Sequence, residues 1–391
     1  MKDRTRVNHP PRVELAPDNR PLVAPIYQNV KFEFDSVDEN ERYLRGARPG
    51  FYYSRSTNPT VRQLELTLAE LQGREDCLAL GSGVASISVA LFTLLSAGDH
   101  ILCFAETYGP TVHAIRRILA RFGVTHTMLS IEDEAGIESA LAARPTKLVM
   151  FESPTNPVLK IADIARITAA ARAHGALTVM DNTFAGFHNH GQYPVDVFLH
   201  SLTKYASGHG DVMGGAIIAN RAILSKLKGD ANVIGAALDP HAAFLIQRGL
   251  RTYFVRYEAQ VRAAQRIAEH LERHPGVAAV SYPGLPSHPR HALARAQMKD
   301  FGTIVSVEIN GDAGAAARFT DALELFASVA SLGSTESLVI PSQLQSQHNL
   351  NAEERAWAAM RPGTVRLSIG LEDVDDLIAD LERGLAAAAG G

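Results

Sequence analysis

Cysteine, tryptophan and long apolar runs are what this chain has least of. Two cysteines occur in 391 residues, Cys77 and Cys103, each inside a strand-like apolar run (DCLAL and HILCF). That setting favours buried structural thiols over a disulfide or a metal ligand, and predicts a reducing, cytoplasmic compartment. No uninterrupted apolar stretch is long enough to span a bilayer, and the N-terminal MKDRTRVNHPPRVELAPDNRP has no apolar core of signal-peptide length, so no membrane association is expected. An excess of either charge is also missing. The 38 basic and 42 acidic residues are mixed along the chain and leave a net charge of −4. Without a basic block there is nothing to release counterions from nucleic acid, so a small-molecule partner is expected.

What is present is ordinary globular composition, 46% hydrophobic, on a chain too long for a single core. Residues 1–57 are rich in Pro, Asn, Arg and aromatics with no lasting period, which predicts an extended arm. From Asn58, a helix cap with Pro59 behind it, the spacing predicts a helix ending at Gly73. Strand-like runs then alternate with helical ones: DCLAL, HILCF, THTMLS, KLVMFE, LTVMDN, VDVFLH and GGAIIAN, interleaved with segments such as VASISVALFTLLSAG and IADIARITAAARAHG. This pattern predicts an α/β unit over 58–245, a mostly parallel sheet covered by helices, with ligands bound outside the carboxyl ends of the strands. A helical run over 240–274 leads into a smaller α+β unit, 246–391, with strands in GVAAVSYPG, GTIVSVEING and TVRLSIGLED. The terminal AAAAGG is expected to fray.

Several residues fall where such a sheet exposes side chains. GSGVAS, from Gly81 to Ser86, opens a helix and reads either as a tight turn or as a phosphate site on backbone amides. Asp181 ends the strand LTVMD and reads either as a cap or as the partner of a cationic ring nitrogen. Asn156, in ESPTNP, is either turn chemistry or a ligand amide. Lys204, in HSLTKYASGHGDVMGG, either snorkels or, held among apolar residues with its ammonium form disfavoured, reacts with a carbonyl to form a Schiff base. Ser201 and Thr203 offer hydroxyls beside it. A phosphate cradle, a strand-end carboxylate and such a lysine together suit pyridoxal phosphate (PLP). The HNH triplet from His188 to His190 has two histidines and no third ligand, so it reads as a loop, and no metal is expected.

In combination, YYSRSTNPT, GSGVASI, ETYGPT, ESPTNP, DNTFA, HSLTKYASGHGDVMGG, QRGLRT, SLGSTESL and VRLSIGLED resemble the Cys/Met-metabolism family of PLP enzymes, from about Pro25 to Leu381. That family includes cystathionine β-lyases, γ-synthases, γ-lyases and homoserine sulfhydrylases. The resemblance implies a fold-type I, aspartate aminotransferase-like architecture with an arm (1–57), a PLP-binding large domain (58–245) and a small domain (246–391). It implies that Lys204 carries the cofactor and then shuttles protons, that Asp181 pairs with the pyridinium nitrogen, and that Tyr108 stacks on the ring and shares in proton transfer. Gly83 and Val84, by backbone amides, and Ser201 and Thr203 would hold the phosphate, with Tyr53 and Arg55 reaching the cofactor of a neighbouring subunit. Arg366 would clamp the α-carboxylate of an amino-acid substrate, helped by Asn156 and Ser331. A homotetramer, a dimer of dimers, follows as the expectation.

The reaction is less directly written. Ala330 stands where members acting at Cγ commonly carry a glutamate, and Pro110 where methionine γ-lyases have a cysteine. Leu332 is not the tryptophan of several β-lyases, and Ile340 replaces a histidine common in relatives. Ala330, Pro110 and a YGPT run that resembles some β-lyases predict a carbon–sulfur lyase eliminating at Cβ of cystathionine or a cysteine conjugate, with γ-elimination or γ-replacement as the alternative, while Leu332 and Ile340 depart from the relatives and leave the substrate open. A non-catalytic protein on the same fold would lack an essential group, yet Lys204, Asp181, Tyr108 and Arg366 are all present.

Overall fold

The structure is a computed structural model and describes residues 18–345 and 350–390. Its larger sheet has seven strands: β1 (Asp76–Leu80), β2 (His100–Phe104), β3 (Thr125–Leu129), β4 (Leu148–Glu152), β5 (Leu177–Asp181), β6 (Val197–Ser201) and β7 (Gly215–Ala219). They lie in the order β1-β7-β6-β5-β4-β2-β3, and β7 alone runs antiparallel to its neighbours. Apart from the edge strand β3, in which only Met128 is buried, the runs are largely apolar on both faces because both are covered. Alternate residues divide between two cores: Leu102, Phe104, Val149 and Phe151 face one side, and Ile101, Cys103, Leu148 and Met150 the other. Both cysteines are free and fully buried within this sheet.

Local signals act as the sequence predicts. The helix Pro59–Gln72 starts where the Asn58 side chain accepts from Thr60 N (2.9 Å), and ends at Gly73, whose φ of 67° is left-handed. The run over 240–274 is instead two helices, Pro240–Leu250 and Tyr253–Glu272. Between them the Gly249 carbonyl leaves the helical ladder and accepts from Thr252 N and Arg256 Nη2. The 245/246 division falls inside the first of these, whose Ala243 and Ile246 belong to the core of the large sheet. The second carries Tyr253 and Tyr257 in that core and Ile267 and Leu271 in the next, so the two units meet along one helix.

The smaller sheet holds β8 (Val277–Ser281), β9 (Ile304–Ile309), β10 (Ala327–Ser328), β11 (Leu338–Pro341) and β12 (Thr364–Ser368), in the order β10-β11-β12-β9-β8. β10 and β11 are absent from the sequence reading, since two residues and a four-residue run ending in proline carry no period to count. The alanines of the tail expected to fray belong to helix Val374–Ala389, with Ala388 packed in the core, and the last residue, Gly391, lies outside the described residues. In β12, Val365 and Leu367 enter that core, so Thr364, Arg366 and Ser368 face the other way. The arm, by contrast, buries nothing in its helix Val37–Leu44 and is organised by the rings of Phe34, Tyr43 and Tyr52. No helix among the described residues is long and apolar enough to cross a membrane.

Candidate active site

Five parallel strands deliver side chains to one end of the sheet. The residues following β1, β2, β4, β5 and β6 supply Gly83, Tyr108, Asn156, Thr183 and Lys204 to a single cavity of about 470 Å³, and the small sheet closes it with Ser331 and Arg366. Gly83, Val84, Tyr108, Asn156, Asp181, Ser201, Thr203, Lys204, Ser331 and Arg366 all line it. Tyr53 and Arg55 do not. Tyr53 is 39% exposed, and the Arg55 guanidinium lies over its ring and bonds to Asn232 Oδ1.

At the β1 end, Ser82 caps the helix Gly83–Leu94 by accepting from Ala85 N (3.0 Å), leaving the amides of Gly83 and Val84 at a positive helix terminus. A Cβ on residue 83 would lie 2.8 Å from Ser201 Cβ and 2.9 Å from its Oγ, so only glycine lets these two segments approach. Thr203 Oγ1 accepts from Gly214 N (3.1 Å), tying β7 to the lysine loop.

Lys204 Nζ donates to Ser331 Oγ at 2.9 Å. Burial, with the Arg366 charge adding to it, brings the amine down to about 8. Its loop is held from behind by Arg256, whose Nη2 donates to Tyr205 O and Gly249 O (both 3.0 Å). Gly208 has φ +70°, and a Cβ there would lie 1.9 Å from Arg256 Nη1. Gly208→Ala should therefore cost about 2–4 kcal/mol of stability, read as a lowered thermal midpoint, because the guanidinium cannot yield without losing both carbonyls.

Asp181 accepts from Thr183 N (3.0 Å), and burial raises its pKa against the pull of Thr183. It forms no ion pair among the described residues. Tyr108 sits at the start of the helix Gly109–His113. Burial raises its phenol, and Asp181 and Glu152 add to this. Arg366 is 6% exposed; it donates from Nη1 to Asn156 Oδ1 (2.9 Å) and from Nη2 to Ser331 O (2.7 Å), while its buried Nε has no partner among the described residues. A buried guanidinium with an unused donor beside a cavity is suited to a carboxylate.

Sequence reasoning missed Thr183, whose Oγ1 accepts from Ser201 N, and Phe184, 5.9 Å beneath Arg366. It also missed Glu152, although the signal that marked Asp181, a lone carboxylate ending an apolar strand, marks Glu152 equally. The HNH histidines are absorbed by packing. His188 bridges the Tyr253 hydroxyl (2.9 Å) and Asp300 Oδ2 (2.5 Å), and His190 Nδ1 bonds to Asn182 Oδ1 (2.7 Å). No group of three His, Cys, Asp or Glu that could hold a metal ion occurs among the described residues.

The cavity fits PLP on three observations. The Gly83–Ser201 approach leaves helix-terminal amides beside a hydroxyl, Asp181 is a half-buried carboxylate with its charged form disfavoured, and Lys204 is an amine with its ammonium form disfavoured. The fold is that of a fold-type I PLP enzyme. The family described as Cys/Met metabolism PLP-dependent enzyme matches residues 11–386, and the chain belongs to it. L-methionine γ-lyase of Pseudomonas putida is 40% identical, over 94% of this chain and 93% of that protein. O-succinylhomoserine sulfhydrylase of Pseudomonas aeruginosa is 37% identical, over 93% and 90%. The crystal structure of cystathionine γ-synthase from Xanthomonas oryzae pv. oryzae superposes with a TM-score of 0.88 at 36% identity, covering 93% of each chain.

Proposed function

We propose that the protein acts at Cγ of an amino acid, by elimination or replacement, on a substrate whose γ-substituent is uncharged. Support for γ-chemistry over the β-elimination predicted from the sequence is the set of relatives, named as γ-lyases, γ-synthases and a homoserine sulfhydrylase. Support for an uncharged substituent is the distribution of charge in the cavity. Among the described residues only Glu152, Asp181, Lys204 and Arg366 are acidic or basic side chains on its wall; the small unit adds apolar groups such as Leu332, Ile340, Leu350 and Met360. Ala330 and Pro110 also line it, offering neither the carboxylate nor the thiol that the resemblance associates with those places.

In this reading Gly83, Val84, Ser201 and Thr203 would hold the cofactor phosphate, Asp181 its ring nitrogen, and Tyr108 its face. Bound there, the cofactor supplies an electron sink for the carbanion at Cα. Arg366 would fix the α-carboxylate with Asn156 and Ser331 O as its own supports. Lys204 would take the α-proton as a neutral amine and return protons along the chain, with the Tyr108 hydroxyl sharing in transfer. In elimination the Cγ–heteroatom bond breaks, the substituent leaves as a thiol or acid, and hydrolysis gives 2-oxobutyrate and ammonia. Tyr53 and Arg55 would serve the site of a second copy, making the active unit at least a dimer and, by the family resemblance, a tetramer; light scattering checks this.

The products decide the reaction. Methionine should yield 2-oxobutyrate, or O-acetylhomoserine with a thiol should yield the replacement product, with cystathionine turned over at least tenfold less efficiently. Pyruvate and homocysteine from cystathionine would restore β-elimination and overturn the γ reading.

A further inference from the structure

Glu152 and Asp181 are direct partners in the parallel pairing of β4 and β5, one at the last residue of each strand, and both line the cavity. Neighbouring residues in register project to the same face of a sheet, where two like charges oppose each other. Glu152 is 5% exposed and has no ion pair among the described residues. What it has instead is a pair of backbone donors: Tyr108 N bonds to its Oε1, and Asn156 N bonds to its carboxyl as well. Tyr108 follows β2 and Asn156 follows β4, so one carboxyl group ties together the two segments that present the ring-stacking phenol and the amide supporting Arg366.

We infer that Glu152 is a positioning residue of the cofactor pocket, acting as a neutral carboxylic acid that fixes the Tyr108 and Asn156 segments while Asp181 carries the charge. A buried and a half-buried carboxylate side by side resist ionising together without a cation for each, and the ring nitrogen is only one cation. Other groups reinforce this. Burial raises Glu152 well above the ordinary carboxylate range, the Asp181 charge raises it further, and Glu106 adds to both against the pull of the two amides. Burial raises Asp181 as well, against the pull of Thr183, so the strand-end pair holds two carboxyl groups whose charged forms are both disfavoured. Of the remaining charged groups on the cavity wall, Arg366 is held by Asn156 and Ser331, and Lys204 by Ser331.

The inference rests on the pocket being the PLP site, but not on which bond the enzyme cleaves. The test is the affinity of cofactor-free protein for PLP, titrated by its visible absorbance, in the wild type, Glu152→Gln and Glu152→Ala. Glutamine is neutral and keeps an acceptor oxygen, so it should bind PLP within about threefold of the wild type with the same pH dependence from 6 to 9. Alanine should bind at least tenfold more weakly, with its backbone amides left without acceptors. Equal weakening by glutamine and alanine would show that a charged carboxylate is needed, and unchanged affinity in alanine would show that Glu152 positions nothing; either overturns the inference. Should Glu152→Ala fail to fold by circular dichroism, glutamine alone decides, because an ionised Glu152 could not be replaced by it without a shift in affinity or pH profile. Wild-type binding reports on the pocket assignment, whereas only the comparison of variants reports on Glu152.

Discussion

Lys204→Ala is expected to lower kcat by about a thousandfold or more, and to abolish the visible absorbance that borohydride bleaches in the loaded wild-type protein. The amine is the only one lining the cavity among the described residues, and it stands 2.9 Å from Ser331 Oγ on the opposite wall. A variant that kept the borohydride-sensitive absorbance would place the covalent site elsewhere. The pH dependence has a definite sign. With the amine held at about 8, its nucleophilic neutral form predominates above that pH. The rate at which Lys204 captures added cofactor should thus rise about tenfold per unit up to pH 8 and then level off, where an ordinary lysine would keep climbing past 10. Stability follows by linkage. Between about 8 and the unfolded value near 10.5 the unfolded chain binds the extra proton, so stability rises with pH across that window, and below it the cost of the buried ammonium is fully present. Lys204→Met should accordingly stabilise the cofactor-free protein at pH 7 by on the order of 2 kcal/mol, measured by denaturant unfolding.

Arg366→Ala should reduce kcat/KM by about a hundredfold to a thousandfold, carried largely by KM, while leaving the cofactor absorbance in place. Its Nη atoms are already committed to Asn156 Oδ1 and Ser331 O, which hold the plane of the guanidinium, and its buried Nε has no partner among the described residues and would be free to meet a carboxylate. Arg366→Lys should fare little better, because a point charge cannot keep both supports and reach a carboxylate with a fork. An unchanged KM for the amino acid would remove Arg366 from the substrate site. The same substitution to alanine should move the Lys204 midpoint upward from 8, since the Arg366 charge is part of what depresses it.

The two strand-end carboxylates show how far reading the sequence carries. Both LTVMD and LVMFE end in a lone acidic residue, so each was legible as a candidate. What was not legible is their pairing, because β4 and β5 are separated by the helix Ile164–Ala173 and only the sheet register sets Glu152 opposite Asp181. Arg366 gives a similar case. Its motif points to a carboxylate clamp, but its supports lie 210 residues away at Asn156 and 35 away at Ser331, distances over which sequence carries no geometry. Leu332 and Ile340 were marked only as departures from the family's motifs, and that they form one apolar wall with Met360 had no local signal, since in sequence such residues look like core.

Sequence alone determined most elements of the large unit and the inventory of candidate residues. Short, mostly apolar runs between turn signals marked the strands of the large sheet, Asn58, Pro59 and Gly73 bounded a helix, and one lysine among hydroxyls and glycines marked the candidate reacting centre. Those are short-range constraints, enforced by backbone sterics and by the cost of exposing apolar surface. Tertiary structure alone decided what the inventory does. It gathered five strand ends into one cavity, brought Arg366 across from the second sheet by the alternation of β12, set Glu152 beside Asp181, and left Tyr53 and Arg55 outside their own chain's site. The physical reason is that charge, burial and hydrogen-bond geometry depend on which residues meet through space, and on which of them meet without water between.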